Sequence, residues 1–398
     1  MKRIGLVFNW IPLTSEAEPI RPANGMDWYR LVMPYFSLQD EYTIVTLSET
    51  DFDVNPLDCD IYVMNRSREY FRAERVKKEG KKLIIDIDDF WTLPTWHDLN
   101  PKKMQERLKV YEKQKDVDQI ALNQYRRLTN LETNAEANII KSMQIADVVT
   151  CTNEQLAEKI KPINPNVHVI RNTIHKSFQQ YTKDKQRSKR LTFGWLGGSF
   201  HLRDVALMFN GITKLHRDKA EAGKYQFLSS YNGDSGEYRE IEKVFTCNYC
   251  YVSAEYAQLL KYNKPVSIHM GLNENYRRLW NVPVTEYGLL YENINVALIP
   301  LQHGTFNSMK SELKLVEAGM TGCAAIVSDV MPYSKWLKHG KNCLVTEGTN
   351  GWYTAFKMLL NNPNLLEDVR SGLAETIEKE FNNETEAQKL KEICQRLA

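Results

Sequence analysis

Two short apolar runs joined by one amphipathic stretch constrain this chain more than any other feature. The segment from Asn295 to Asp329 reads NVALIPLQHGTFNSMKSELKLVEAGMTGCAAIVSD. Val296 to Ile299 form an apolar run closed by Pro300, as expected of a parallel strand covered on both faces. Ala324 to Val327 form a second one. Two parallel strands need a crossover between them, and the intervening residues have helical character. Ser308 is placed to cap that helix, which puts Lys310, Lys314 and Glu317 within its first turns. Gly319 and Gly322 punctuate its end. A helix start with a neighbouring lysine, beyond a strand's carboxyl end, is an anion site, and the loop before it holds Gly304 and Asn307. A glutamate about two turns further on can reach a sugar hydroxyl. The segment therefore predicts a strand–helix–strand unit that binds a nucleoside diphosphate.

The same alternation runs through the rest of the chain. Strands are expected at Arg3–Phe8, Tyr42–Leu47, Asp60–Met64, Lys82–Ile87, Ile145–Cys151 and Val167–Ile170. Helices are expected at Met26–Leu38, up to Lys78, and from Glu154. Further strands are expected at Leu191–Leu196, Phe227–Ser229, Val266–Ile268, Asn295–Ile299, Ala324–Val327 and Cys343–Val345, with a helical segment from Gly351 broken near Asn361–Asn364. Strands separated by helices imply parallel, doubly wound sheets, and 398 residues suffice for two such domains. Residues 101–145 lack glycine, and proline after Pro101, and read as one or two long helices inserted in the first domain. The polar, basic stretch QQYTKDKQRSKR at 179–190 reads as a linker.

A second candidate site follows the strand at 191–196. In Gly194-Trp195-Leu196-Gly197-Gly198-Ser199, followed by His201 and Arg203, two glycines let backbone amides approach phosphate oxygens, and Arg203 adds a fixed cation. Lys310 and Lys314, at i,i+4 spacing on one expected helix, share a face. A pair of solvated lysines fits the same spacing.

The order strand, glycine-containing loop, KSELKLVEAGMTG, AAIVSD, Pro332, Gly340, NCLV resembles the donor-binding half of GT-B glycosyltransferases. It is most similar to the retaining group that uses nucleotide-diphosphate sugars and carries a Glu-x7-Glu pattern. Glu317-Ala318 and Gly322 match the second half of that pattern, whereas Met309 stands where the first glutamate belongs, with Lys310 beside it. The resemblance implies two Rossmann-like domains facing a cleft, at 1–182 and 183–380, with residues 381–398 as a helix crossing back to the first. It implies donor contacts from Gly25, Gly197, Gly198, Arg203, Asn307, Ser308, Lys310, Lys314 and Glu317. Glu317 would meet the ribose, or else form an ion pair at the core edge. Lys310 and Arg203 would stabilise charge on the leaving diphosphate in place of a metal. Asp86-Ile87-Asp88-Asp89 resembles the metal triplet of GT-A enzymes, but the donor signals lie in the other half, so no metal is assigned. Asp88, Asp89 and His97 are instead the candidates for orienting an acceptor hydroxyl. Trp28, Tyr29, Trp91 and Trp96 are candidates for sugar stacking or for core packing.

The implied activity is sugar transfer from a nucleotide-diphosphate donor, a substrate rather than a cofactor, retaining and metal-independent. The acceptor is a glycan or lipid-linked glycan. Glycosylation of a hydroxylated base in DNA and a non-catalytic sugar-nucleotide-binding module are the alternatives, the last motivated by Met309. A net charge of +2 demands no nucleic-acid partner. No run reaches the ~20 apolar residues of a membrane span, and peripheral membrane contact through an amphipathic surface stays open. The start MKRIGLVFNWIPL is broken by Asn9 and Pro12, and is expected to be a first strand rather than a leader. Seven scattered cysteines, with one CxxC at Cys247–Cys250, fit reduced thiols in a cytoplasmic protein.

Overall fold

The computed structural model describes residues 1–8, 25–114, 118–186, 188–231, 236–247 and 275–397. The chain divides into two compact units. Unit 1 comprises Met1–His175, Ser308–Ser311 and Asn382–Ala398, and unit 2 comprises Lys176–Asn307 and Glu312–Phe381.

Unit 1 holds a six-stranded sheet: β1 (Lys2–Phe8), β2 (Tyr42–Ser48), β3 (Ile61–Asn65), β4 (Lys82–Ile87), β5 (Val148–Cys151) and β6 (Val167–Val169), in the order β2-β1-β3-β4-β5-β6. Every neighbouring pair is parallel. The apolar runs of β3 and β4 are buried almost throughout, because helices cover both faces of such a sheet. Helix Tyr70–Lys78 contributes Ala73 and Val76 to the core, and helix Gln119–Ile145 contributes Ile139 and Met143. Each fully buried aliphatic side chain of this kind stabilises the unit by about 1.5–3 kcal/mol.

The expected insertion at 101–145 is a helical hairpin. Helix Pro101–Tyr111 is capped by Asn100, whose side chain accepts from the amides of Lys102 and Lys103, and Asp118 caps helix Gln119–Ile145 in the same way. Tyr111 and Tyr125 stack across the pair with ring centroids 5.8 Å apart. The expected helix at 26–38 is also present but interrupted. Helical turns at Gly25–Asp27 and Met33–Phe36 flank a π-helical turn, Trp28–Val32, whose residues are all buried. Helix Asn383–Leu397 packs in this unit through Asn383, which bonds Ser37 and Thr173, and Glu386, which accepts from the Arg171 amide at 2.9 Å.

Unit 2 holds β7 (Leu191–Trp195), β8 (Tyr225–Tyr231), β9 (Tyr276–Trp280), β10 (Val296–Ile299), β11 (Ala324–Ser328) and β12 (Leu344–Thr346), in the order β12-β11-β10-β7-β8-β9. All pairs are again parallel. The first strand is central, its two successors extend one way and the remaining three the other, which is the Rossmann order. Strand β9, YRRLW, escaped sequence reading because its pattern is polar. Arg278 is buried there with a two-pronged bond to Glu242, at 2.6 Å for each prong, and lies over the Tyr231 ring. The strand expected at Val266–Ile268 lies outside the described residues, as does Cys250.

One expectation fails. No helix starts at Ser308: residues Thr305–Ser308 form a single turn, the chain unwinds, and the helix runs from Leu313 to Met320. Lys310 therefore precedes the helix and does not share a helical face with Lys314. The cause is tertiary. Met309 is 3% exposed in the core of unit 1. Asn153 Nδ2 donates to the carbonyls of Met309 (3.3 Å) and Lys310 (3.0 Å), so these carbonyls take a side-chain partner in place of the helical amides of Leu313 and Lys314. Further on, Gly319 lets the helix press onto helix Pro363–Glu380, since a Cβ there would lie 2.4 Å from Ile377.

Candidate functional site

In unit 2 the strand order reverses between β7 and β10, and loops leaving the carboxyl ends of these neighbours flank the point where such sheets bind ligands. Gly197 and Gly198 lie on the loop after β7, and Arg203 on the helical turn Leu202–Val205 that follows it; Asn307 lies on the turn Thr305–Ser308 after β10. Asp204, 4% exposed, ties the two loops together. One oxygen accepts from the Gln302 amide at 2.8 Å and from Asn307 Nδ2 at 3.4 Å, and the other meets His201 Nδ1 at 2.8 Å. Asn307 is buried and also donates to the Gln302 carbonyl at 2.9 Å, so in this structure it braces the loop. The Gly197 amide donates to Ser230 Oγ at 3.1 Å, and its carbonyl accepts from Tyr238. Arg203 is exposed, and its carbonyl accepts from Gln302 Nε2.

Half-buried Lys314 and buried Glu317 form a polar cluster on helix Leu313–Met320. Glu317 is wholly buried, and one of its oxygens accepts from Lys314 Nζ at 2.9 Å and Tyr291 Oη at 2.8 Å. Lys314 also donates to Tyr287 Oη at 2.8 Å. Burial works against the lysine's charge, but Glu317 and Tyr287 more than offset it, so its pKa is raised. Burial, followed by the Glu317 charge, pushes Tyr291 well above the usual phenol range. Glu312, just before this helix, is 2% exposed and accepts from the Trp336 indole at 3.1 Å.

In unit 1 the reversal lies between β1 and β3. Arg66 follows β3 in the left-handed region, with φ 44°, a conformation that costs a non-glycine residue energy and recurs at functional sites. Its guanidinium faces Asp88 at 3.4 Å, and Lys310 meets Asp89 at 3.4 Å. Burial raises the Asp88 carboxyl pKa, against the pull of Arg66. His97 Nδ1 accepts from the Leu99 amide at 3.1 Å, which assigns the ring proton to Nε2. Burial first, then the Lys310 charge, lowers its pKa to about 4, so the ring is neutral near pH 7. Asp88, Asp89, His97 and Lys310 thus belong to one group in unit 1. Ser308 is half-buried at the end of its turn, and Gly25 is exposed at the start of its helical segment. Trp28, Tyr29 and Trp91 are core residues, while Trp96 is half-buried.

Asp86, first acid of the triplet, is fully engaged. It accepts from Arg30 Nε (3.0 Å), Arg30 NH2 (2.7 Å), Asn65 (2.9 Å) and Thr150 (2.7 Å), while Arg30 also bonds the Ile170 carbonyl and Asn172. Arg30, Asp204, Tyr287 and Tyr291 are not among the expected site residues, whereas His201 is named in the second candidate site without a role. Among the described residues, no three carboxylate, histidine or cysteine side chains converge as a metal site, and no helix is long and apolar enough to cross a membrane.

No protein-family model matches the chain, and no curated protein matches it by sequence. Solved structures do. Sucrose-phosphate synthase from Thermosynechococcus elongatus is 11% identical with a TM-score of 0.62, covering 100% of this chain and 99% of that one. Anabaena HepE in complex with UDP-glucose is 11% identical with a TM-score of 0.59, each chain covered fully. The UDP-forming trehalose-phosphate synthase of Burkholderia xenovorans, in complex with glucose-6-phosphate, is 10% identical with a TM-score of 0.58, covering 99% of this chain and 100% of that one. At such identities the likeness concerns the fold, which is that of the GT-B type over the whole length.

Proposed function

We propose that the chain is a glycosyltransferase that moves a sugar from a nucleoside-diphosphate donor to an acceptor hydroxyl. The observation that supports this best is the Rossmann order of unit 2, with the Gly197–Arg203 and Gln302–Asn307 loops at its reversal point. The structural neighbours add weight, since one binds UDP-glucose and another is UDP-forming. In this reading unit 2 takes the donor and unit 1 the acceptor. The bond between the anomeric carbon and the diphosphate oxygen breaks with its electron pair left on that oxygen. The acceptor oxygen bonds the same carbon, and its proton passes to water.

Arg203 and Lys310 supply positive charge to the diphosphate, which makes a metal unnecessary. Glu317, fixed by Lys314 and Tyr291, is the ribose contact. Asp88, Asp89 and His97 orient the acceptor, a glycan or lipid-linked glycan, and transfer retains the anomeric configuration. Calorimetric titration with UDP-glucose, GDP-mannose, ADP-glucose and dTDP-glucose, followed by assays for slow donor hydrolysis, tests the assignment. Tight binding of one ester with turnover is expected. Binding without turnover would instead make the chain a sugar-nucleotide-binding module, and no binding of any ester would remove the donor assignment.

A further inference from the structure

Arg66 differs from the other cations of unit 1 in its backbone and in how weakly its side chain is held. It is one of two non-glycine residues with a positive φ among the described residues, and its amide is pinned to the Asp86 carbonyl at 2.9 Å. The chain just beyond it is fixed from helix Gln119–Ile145. Asn138 Nδ2 donates to the Arg68 carbonyl at 2.8 Å, and Arg68 pairs with Glu132 at 2.7 Å. A left-handed residue persists only where its surroundings over-determine it, and functional sites are where such conformations cluster.

The Arg66 side chain is 11% exposed, yet each of its nitrogens has only a distant partner. Nε faces Asp88 Oδ1 at 3.4 Å without a hydrogen bond, Nη1 lies 3.8 Å from the Met26 sulfur, and Nη2 lies 3.5 Å from the Phe90 carbonyl. A guanidinium in such surroundings ordinarily makes charge-assisted bonds of about 2.7–2.9 Å. Arg30 does so with Asp86, at 2.7 and 3.0 Å. Asp88 Oδ1 is likewise shut off from solvent with no hydrogen-bond partner. Polar groups left in this state are rare in native folds, and a missing ion or ligand is one of the few reasons for them.

We propose that Arg66 anchors an anion subsite in unit 1, which takes the phosphate or carboxylate of an acidic acceptor. The inference rests on the glycosyltransferase reading and deepens it by naming the chemical class of the acceptor. A planar guanidinium fork matches two oxygens of either group. An oxyanion there gives Arg66 two short bonds in place of three long contacts. Asp88 competes for the same cation, whereas the neighbouring Asp89 is offset by Lys310 at 3.4 Å. These two acids and His97 are the groups assigned to the acceptor hydroxyl, so the anion lies close to the oxygen that receives the sugar.

The test titrates glucose 6-phosphate, glucuronate, inorganic phosphate and glucose into the protein by calorimetry, at constant ionic strength and without a donor. Glucose 6-phosphate or glucuronate should bind roughly tenfold more tightly than glucose, and the one that does so tells phosphate from carboxylate. Arg66→Asn should abolish the preference, and asparagine tolerates the left-handed backbone better than arginine does. Arg66→Lys should keep part of it. Asp88→Asn, which removes the competing carboxylate, should tighten inorganic phosphate binding. The double variant Arg66→Asn/Asp88→Asn buries neither charge, and it too should show no preference. Arg203→Gln should retain the preference, which separates this subsite from the phosphate site of unit 2. Acids that bind no better than glucose, or a preference that survives Arg66→Asn, would overturn the inference and leave the donor titrations untouched. Arg66-dependent anion binding by a protein that takes no sugar nucleotide would overturn the donor reading and uphold the subsite.

Discussion

The two sheets place a buried carboxylate near the carboxyl end of a strand and use it in opposite ways. In unit 1, Asp86 is surrounded by donors from its own fold, two of them from one guanidinium. It links the π-helical turn, β3, β4 and β5 and has no remaining capacity for a ligand. In unit 2, Asp204 receives the Gln302 amide, Asn307 Nδ2 and His201 Nδ1, and so braces the segments that follow two neighbouring strands. A carboxylate whose partners are all buried works as a rivet. One that joins the segments leaving two neighbouring strands works as a brace. The acidic triplet, conspicuous in the sequence, begins with the rivet.

The largest expected effect breaks the first of these. Asp86→Ala leaves the Arg30 charge buried and unbalanced, at a cost of about 3–5 kcal/mol in urea unfolding. A loss below about 1 kcal/mol would mean that the pair is no rivet. Next, Lys314→Ala strips Glu317 of its cation. Stability should drop by about 2–3 kcal/mol and ester affinity by roughly tenfold or more, with Lys314→Arg intermediate.

The third effect is the pH dependence of unit 1. The His97 pKa is about 4 in the folded state, below its unfolded value of about 6.5, so between those values the unfolded chain binds the extra proton. Stability is thus fully present above pH 6.5 and lost as pH falls toward 4, by ~2 kcal/mol after allowing for the ring's partial exposure. His97→Gln should flatten that slope in denaturation curves at pH 4.5 and 7; an unchanged slope would assign it elsewhere.

Arg203→Ala and Lys310→Ala should each weaken UDP-glucose binding about tenfold and leave uridine binding alone, as charged hydrogen bonds are worth about 1.5–3 kcal/mol. Unaltered ester affinity in both would remove the phosphate assignment. The smallest effect expected is none: excess chelator should leave turnover intact if Arg203 and Lys310 do the work of a metal.

Much of the fold was legible because buried parallel strands are written as short apolar runs. Val296–Ile299 and Ala324–Val327 need no context to be recognised, and they pair in register as parallel neighbours. What escaped depended on partners far away in sequence. Strand β9 looks polar until Glu242 neutralises Arg278, and Arg30 sits unremarked in a helical stretch until Asp86, Asn172 and the Ile170 carbonyl converge on it. The segment Ser308–Ser311 fits a helix start by local rules, yet the core of unit 1 claims Met309. Position Met309 accordingly shows two things at once. The acid that the resemblance implied there is missing, and the methionine that stands there is buried as part of the hydrophobic core.

The composition of unit 1 also bears on how a ribosome can deliver this protein. Its interior needs Met309 and the helix Asn383–Leu397, and that helix follows every residue of unit 2 in the chain. Synthesis proceeds at about 5–20 residues per second, so the first strands wait for their last packing partner through tens of seconds of elongation. Early release or a stalled ribosome would present an unfinished apolar surface to chaperones, whereas unit 2 has all its own residues once Phe381 has been added.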